Sequence, residues 1–320
     1  MLTGVELFGG SVGGFIHNDV IFKTDQHYTN GLALGWVSDE LSGTGGVEAA
    51  YTEALIFVAD LIPFHTLDTG RNFQSSVFIN QYIVTPSFDD NGTAADDIPF
   101  AGVLRMGFGL FEWDREELHS YHISVGVIGP SAKAEEVQNG FHDLINNDAV
   151  EGWDSQLGNK GFFEIGYGYG NRSYEYNFAE SYRVDWFNDF LATAGNAAVE
   201  MELGTLVRIG DNVPDNFVFA SQYLGSLGNE HINVRERNGA WGWSMSLGFV
   251  MRATLYNYIM EEAEKMSGLD VKMLNAQWVG NISMYIGDFQ TSFVLQQTDI
   301  IINQDISRER YGGLTFIWAY

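Results

Sequence analysis

Residues 241–255 read WGWSMSLGFVMRATL, and this stretch decides the fold class. Large apolar residues take nearly all of the odd positions, whereas Gly, Ser and Thr take most of the even positions. An alternation with a period of two places each set on one face of a β-strand. The face with the large residues is too continuous for contact with water, so it faces either a protein core or lipid.

The same alternation recurs along the chain, in residues 104–110, 121–127, 163–169, 199–209 and 313–320. In a soluble β domain the small polar face would meet water. In an outer-membrane barrel it lines the lumen and the large residues meet lipid. The small face here carries Gly, Ser and Thr more than Lys and Glu, and the strands are about 10 to 15 residues long, as tilted spans require. The pattern therefore favours an all-β, transmembrane, antiparallel up-and-down β-barrel, with a soluble β domain as the alternative.

We predict twelve strands, an even number, as in most bacterial barrels. Their predicted bounds are 4–18, 28–39, 72–86, 100–113, 117–129, 160–176, 179–193, 196–210, 240–256, 271–287, 288–299 and 308–320. The chain stops on the aromatic Tyr320, which is typical of bacterial outer-membrane barrels. We therefore expect residues 1–320 to form a single barrel domain, embedded in the bacterial outer membrane as a monomer.

The sequence patterns of two connecting segments predict helices. Residues 132–145 read AKAEEVQNGFHDLI, and Ser131 is a candidate N-cap ahead of them. This helix follows the fifth strand, which runs outward if both chain ends lie in the periplasm, so we expect it on the extracellular side, at the barrel mouth. Residues 47–62 predict a second, amphipathic helix at the periplasmic end, where it would act as a plug or lie on the membrane surface.

The composition excludes several classes of function. The net charge of −26 leaves no basic surface for nucleic acid. The absence of Cys excludes disulfides, thiolate metal sites and thiol nucleophiles. The longest apolar run, residues 54–64, is well short of the 18 or so residues of a membrane helix.

A polar group precedes the lipid-facing part of the second strand. Asn18, Asp19 and Thr29 should lie at the outer mouth, and the alternation places Thr29 toward the lumen. Gln138 and His142 are four residues apart and share one face of the predicted helix.

These residues fit ester hydrolysis. A His can act as a general base on water, and Asn18 can donate to a developing oxyanion. Asp19 can orient the His or bind a divalent cation that acts as a Lewis acid. A lone His on a helix is nevertheless more often a surface or packing residue, and an Asn-Asp pair is often only a turn.

Four blocks of sequence together resemble the outer-membrane lipid A 3-O-deacylase family. They are His17-Asn18-Asp19, then Thr24-Asp25 through Tyr28-Thr29-Asn30-Gly31, then Asp96-Asp97-Ile98-Pro99-Phe100-Ala101-Gly102, and finally GVIGPSAKAEEVQNGFHDLI with Glu151-Gly152-Trp153-Asp154-Ser155-Gln156-Leu157. The blocks cover about half of the chain, and the last one, with Gly-Pro, Gln-x-x-x-His and Gly-Trp-x-x-Gln, is specific.

The resemblance implies a twelve-stranded barrel that hydrolyses the acyl chains at the 3′ position of lipid A, with calcium as cofactor and lipopolysaccharide of the outer leaflet as partner. The family's essential residues match Asn18, Asp19, Thr29 and His142, which we assign to catalysis. We assign Gln138, Asp148 and Tyr28 to substrate binding, and Asp19 and Asp25 to the cation, Ca²⁺.

The sequence departs from the family's pattern in two places. Members carry a basic pair after the third strand, but residues 82–99 contain no Lys or Arg. Val150 stands where the family has a Tyr. A metal-bridged phosphate contact through Asp89, Asp90, Asp96 or Asp97 would be a substitute, and a different lipid is the other explanation.

Two other functions stay open at this point. An outer-membrane phospholipase would use the same barrel and calcium chemistry on a glycerophospholipid. A channel or structural barrel would turn over no lipid. We expect the lumen to be filled by ion pairs instead, from Arg105, Glu164, Glu200, Glu202 and Arg208.

Overall fold

The computed structural model forms a closed barrel of twelve antiparallel strands in sequence order, in which β1 also pairs with β12. It describes residues 10–18, 27–40, 57, 67–68, 70–88, 94–95, 97–144, 146, 148–178, 180–221, 240–268, 274–299 and 308–320. The strands are β1 Gly10–Asn18, β2 His27–Ser38, β3 Asn72–Thr85, β4 Ala101–Trp113, β5 Glu117–Ile128, β6 Lys160–Asn177, β7 Tyr182–Gly195, β8 Ala198–Asp211, β9 Trp241–Asn257, β10 Leu274–Ile286, β11 Phe289–Asp299 and β12 Arg308–Ala319. The predicted fold class is confirmed.

The alternation has the expected orientation. On β9, Met245, Leu247 and Met251 are exposed on the outer face, and Ser244 and Val250 are buried on the inner face. The outer face of the wall is therefore an apolar surface suited to lipid. Residues 4–9 of the first predicted strand lie outside the described residues, as does most of the predicted helix 47–62, of which only Phe57 is described and is helical.

The predicted helix 132–145 is shorter than expected. Helix α1 spans Ala134–Leu144, after a single 3-10 turn over Pro130–Ala132. The two are separated by Lys133, which has a left-handed backbone with φ 61°. The prediction of Ser131 as the N-cap is wrong, because Ser131 lies inside the 3-10 turn and its backbone N–H donates to the side chain of Asn159.

The sequence reading missed a second helix, α2, which spans Tyr258–Ser267. The sequence does contain the capping residues of this helix. The Asn257 side chain accepts hydrogen bonds from the first turn as the N-cap, and Gly268 ends the helix with φ 70°. Ile259 of α2 packs in a cluster with Ile98 and Leu157. Among the described residues, no helix has the length and apolar content needed to cross a membrane.

Helix α2 lies across the outer mouth of the barrel. It follows β9, whereas Ile98 precedes β4 on the far side of the barrel. The Ser267 hydroxyl at its last turn also donates to the Asp97 carbonyl oxygen, 3.3 Å away. The helix therefore covers the lumen at this end.

Buried ion pairs fill the lumen below α2, as predicted. Arg105 pairs with Glu164 at 2.8 Å, and Arg252 with Glu202 at 2.6 Å. Arg208, which is 1% exposed, is bound to Asp185 rather than to any of the three predicted glutamates. Glu200 accepts hydrogen bonds from Thr254 and Asn257, both at 3.4 Å.

The connection after β8 enters the lumen from the opposite end. We call its residues 213–221 the plug segment. Its aromatic rings Phe217 and Phe219 pack against Phe187 on the inner face of β7. The carboxylate of Asp189 accepts hydrogen bonds from the backbone N–H groups of Ala220 and Ser221, at 3.1 and 3.0 Å. These contacts bind the plug segment to the wall.

We expect the wild-type protein to show no stable conductance steps in planar lipid bilayers, because ion pairs and the plug segment fill the lumen. Asp189→Ala removes the acceptor for two buried backbone N–H groups and should produce channel openings. Glu116→Ala, at an exposed turn, is the matched control and should stay closed. Stable openings of the wild-type protein would contradict a filled lumen.

Candidate active site

Helix α1 packs against the outer, lipid-facing side of the barrel wall rather than in the mouth. Gly102 of β4 is on the same face of its strand as the exposed Met106. A Cβ added at Gly102 would lie 2.4 Å from the Cβ of Ala134, so glycine allows this close approach. Ile83 of β3, also on the outer face, is 1% exposed and packs in one cluster with Ala134. The predicted location at the barrel mouth is therefore corrected.

Helix α1 has a buried stripe with a spacing of four residues, formed by Ala134, Gln138 and His142. This spacing aligns the three side chains on one helix face. Glu135 and Glu136 place negative charge in the first turn, where it stabilises the helix. The Lys133 ammonium, which hydrogen-bonds Glu136, holds the pKa of that exposed carboxyl below its usual range.

The chain returns along α1 through residues 148–153, which we call the return segment. Three hydrogen bonds join the two. His142 Nδ1 is 2.7 Å from the Asp148 carbonyl oxygen. The Val150 N–H donates to Asn139 Oδ1 at 2.8 Å. The Trp153 indole N–H donates to Gln138 Oε1 at 3.0 Å. The return segment thus fixes side chains from two successive turns of α1.

The bond to Asp148 sets the proton arrangement of His142. A carbonyl oxygen only accepts hydrogen bonds, so Nδ1 must carry the proton. The basic lone pair of the neutral ring is then on Nε2. Since His142 is 4% exposed, its ring is held with this orientation beside the wall. The arrangement is the one a general base requires.

Gln138 is 2% exposed, and its amide is only half satisfied. The amide oxygen accepts the Trp153 N–H, but Nε2 has no hydrogen-bond partner among the described residues. An unsatisfied buried polar group costs about 1–3 kcal/mol. A buried amide donor of this kind is complementary to a hydrogen-bond acceptor on a ligand.

An aromatic cluster supports the return segment. The Trp153 ring packs on Phe100, with centroids 5.0 Å apart, and Phe100 packs on Phe88 at 6.2 Å. Gly152 has φ 106°, and a Cβ there would lie 2.8 Å from the Phe100 ring. Glycine is therefore required at this turn. The family block Gly-Trp-x-x-Gln includes Gly152 and Trp153. The sequence alone did not show that Trp153 contacts Gln138 or that Asn139 contacts the return segment.

The other predicted residues lie on strand ends at the same end of the barrel as α1. Asn18 is the last residue of β1 and pairs with Asn30, and Tyr28 pairs with Val84 of β3. The register shifts between Tyr28 and Asn30, so the alternation that placed Thr29 toward the lumen is interrupted there. The side chains of Asn18, Tyr28 and Thr29 are not among those described.

The proposed metal ligands Asp19 and Asp25 lie outside the described residues. Elsewhere in the described parts of the chain, no three His, Asp or Glu side chains are close enough together to hold a metal ion. Asp97, one of the four candidates for a metal-bridged phosphate contact, accepts hydrogen bonds from the backbone N–H groups of Ser87 and Ile98. Asp89, Asp90 and Asp96 are not among the described residues.

Comparison with known proteins agrees with this architecture. A family model described as "Outer membrane protein LpxR" matches residues 9–320. The chain belongs to the LpxR family. The family resemblance and the outer-membrane location expected from the sequence are thus confirmed. Among curated protein sequences, none matches the chain.

A solved structure of LpxR shows the same fold. The structure of LpxR from Salmonella typhimurium is similar, with a TM-score of 0.75 and 17% identity over 97% of this chain and 100% of that one. The β domain of the Bordetella autotransporter BrkA has a TM-score of 0.47 and 7% identity, over 98% and 100% of the two chains. At 17% identity, the similarity to the Salmonella structure extends to the fold of this LpxR-family chain.

We expect Gly152→Ala to loosen the return segment while the barrel stays folded. A left-handed backbone costs a residue with a Cβ roughly 1–2 kcal/mol, and the added Cβ would also meet Phe100. Hydrogen exchange of the amides in residues 148–157 should become faster. Gly158→Ala is the control, because a Cβ there meets nothing within 4 Å. Equal exchange in both variants would contradict the strained turn.

Proposed function

We propose that this LpxR-family protein hydrolyses ester-linked acyl chains at the 3′ position of lipid A in the outer leaflet. The observation that carries the proposal is the orientation of His142. Its Nδ1 proton is bound by the Asp148 carbonyl oxygen, and the ring is 4% exposed on a helix whose first turn packs on the lipid-facing wall. A base in this place is supplied with substrate from the bilayer, which favours a lipid ester over a soluble molecule.

In the proposed mechanism, His142 Nε2 takes a proton from a water molecule, which attacks the ester carbonyl carbon. The proton then passes from the imidazolium to the alkoxide of the sugar as the carbon–oxygen bond breaks. The products are a free fatty acid and a sugar hydroxyl. The Asp148 carbonyl keeps the ring in one tautomer throughout, and it also stabilises the imidazolium through the Nδ1 proton.

Asn18, Thr29 and Tyr28 would complete the site from the strand ends. Neighbouring strands are about 4.8 Å apart, so β1 and β4 are separated by roughly 14 Å. The eleven residues of α1 extend about 16 Å, which is enough to reach from β4 toward β1. In this arrangement Asn18 donates to the oxyanion, Thr29 positions water, and Tyr28 binds the substrate.

A divalent cation fits the donor set that the sequence places at the β1–β2 connection. Asp19 and Asp25 would hold it, and carboxylate oxygens are the ligands that Ca²⁺ prefers. When bound, the cation would polarise the ester carbonyl as a Lewis acid.

A channel function has little support, because ion pairs and the plug segment fill the described lumen. A phospholipase remains the second enzyme to test, since residues 82–99 contain no basic side chain for a lipid A phosphate. The two enzymes differ only in which lipid loses an acyl chain.

We expect the folded protein to remove the 3′-linked acyl mass from lipid A, measured by mass spectrometry. His142→Gln should lower the rate about 10²- to 10⁴-fold, as for loss of a general base. Asp143→Asn is exposed on the same helix and should keep the wild-type rate. Full activity of His142→Gln would disprove the assigned base. Loss of acyl chains from phosphatidylethanolamine but not from lipid A would identify a phospholipase.

Removal of divalent cations by EDTA should abolish hydrolysis, and added Ca²⁺ should restore it, because the carbonyl would lose its Lewis acid. Asp19→Asn should show no restoration at the same calcium concentration. The check is the initial rate of acyl release against free Ca²⁺. A rate that EDTA does not change would exclude the cation from the mechanism.

A further inference from the structure

We infer that Trp153 is a positioning residue that fixes the Gln138 amide so that its NH₂ group, not its oxygen, faces the bound ester. This inference rests on the proposed function, which it extends to a residue with no assigned role. The described hydrogen bond of the Trp153 indole is to Gln138. Trp153 acts through Gln138.

The orientation follows from hydrogen-bond chemistry. An amide side chain can be rotated by half a turn, which exchanges its oxygen and nitrogen at little steric cost. The indole N–H of Trp153 is a donor and cannot accept, so it binds only the amide oxygen. The observed contact, Trp153 Nε1 to Gln138 Oε1 at 3.0 Å, is therefore compatible with one orientation only.

The consequence is a buried donor without a partner. Gln138 Nε2 has no acceptor among the described residues, and the side chain is 2% exposed. An atom in this state is complementary to an acceptor that arrives with a ligand. An ester offers a carbonyl oxygen, on which negative charge grows as water attacks. An N–H donor placed in advance stabilises that charge.

The neighbouring residues keep Trp153 in place without contributing to the chemistry. Its ring packs on Phe100, and Gly152 allows the turn that brings it to the helix. His142 is one helical turn beyond Gln138 on the same buried face. The base and the donor are thus fixed by one return segment, through Asp148 and Trp153 respectively.

The test separates the hydrogen bond from the packing of the indole ring. Trp153→Phe keeps an aromatic ring against Phe100 but removes the N–H, and it should lower kcat about tenfold with little change in KM. Gln138→Glu keeps an acceptor for Trp153 but replaces the donor, and it should lower kcat roughly 100-fold.

The double variant decides whether Trp153 acts through Gln138. In the Gln138→Glu background, Trp153→Phe should cause little further loss, because no amide donor is left to orient. Equal, additive losses in both backgrounds would assign Trp153 to packing only and overturn the inference. A larger change in KM than in kcat for Trp153→Phe would also overturn it.

A binding measurement keeps the inference testable if no lipid A hydrolysis is found. In the calcium-loaded, isotope-labelled protein in detergent, the Gln138 side-chain NH₂ resonances should shift when lipid A is added. In Trp153→Phe the shift should be smaller, because both amide orientations are populated. No shift in the wild-type protein would overturn the inference. A shift without hydrolysis would instead refute the proposed function alone.

Discussion

Every backbone N–H and C=O group in the lipid-exposed wall needs a partner within the sheet, because hydrocarbon supplies none. The pairing of β1 with β12 meets this requirement by closing the barrel, so that the described sheet has no free edge. Closure also separates two environments. The outer face is apolar, and the inner face must be filled or hydrated.

The two helices use these environments differently. Helix α2 and the plug segment cover and fill the inside, where buried ion pairs such as Arg105–Glu164 satisfy polar groups that lipid could not. Helix α1 lies on the outside, where Gly102 lets it approach the wall closely. Its polar residues Gln138 and His142 lie in the buried stripe of the helix. A candidate site outside the lumen is compatible with a filled barrel.

Most of the fold could be predicted from the sequence because each strand carries its own signal. The alternation of residues 241–255 specifies both the strand and its lipid-facing side, independently of any distant contact. Helix α2 carries ordinary capping signals at Asn257 and Gly268, which the alternation of the strands does not include. The position of α1 could not be predicted, because it depends on the packing of Gly102 against Ala134, two residues 32 positions apart whose contact has no local pattern.

The candidate site was predicted in part. The Gln-x-x-x-His spacing put Gln138 and His142 on one helix face, and the structure buries both side chains. The tautomer of His142 and the orientation of Gln138 depend on the return segment, and no spacing rule predicts those bonds. The β2–β3 register shifts between Tyr28 and Asn30, so the lumen-facing position of Thr29 stays a prediction.

The most direct test of the central claim is an experimental structure of His142→Gln with intact lipid A and Ca²⁺. The account predicts that the 3′ ester lies between α1 and the outer face of the wall, with its carbonyl oxygen within hydrogen-bond distance of Gln138 Nε2 and its acyl chain along the lipid-facing surface. Lipid A bound in the lumen, or with the 3′ ester remote from residue 142, would contradict it.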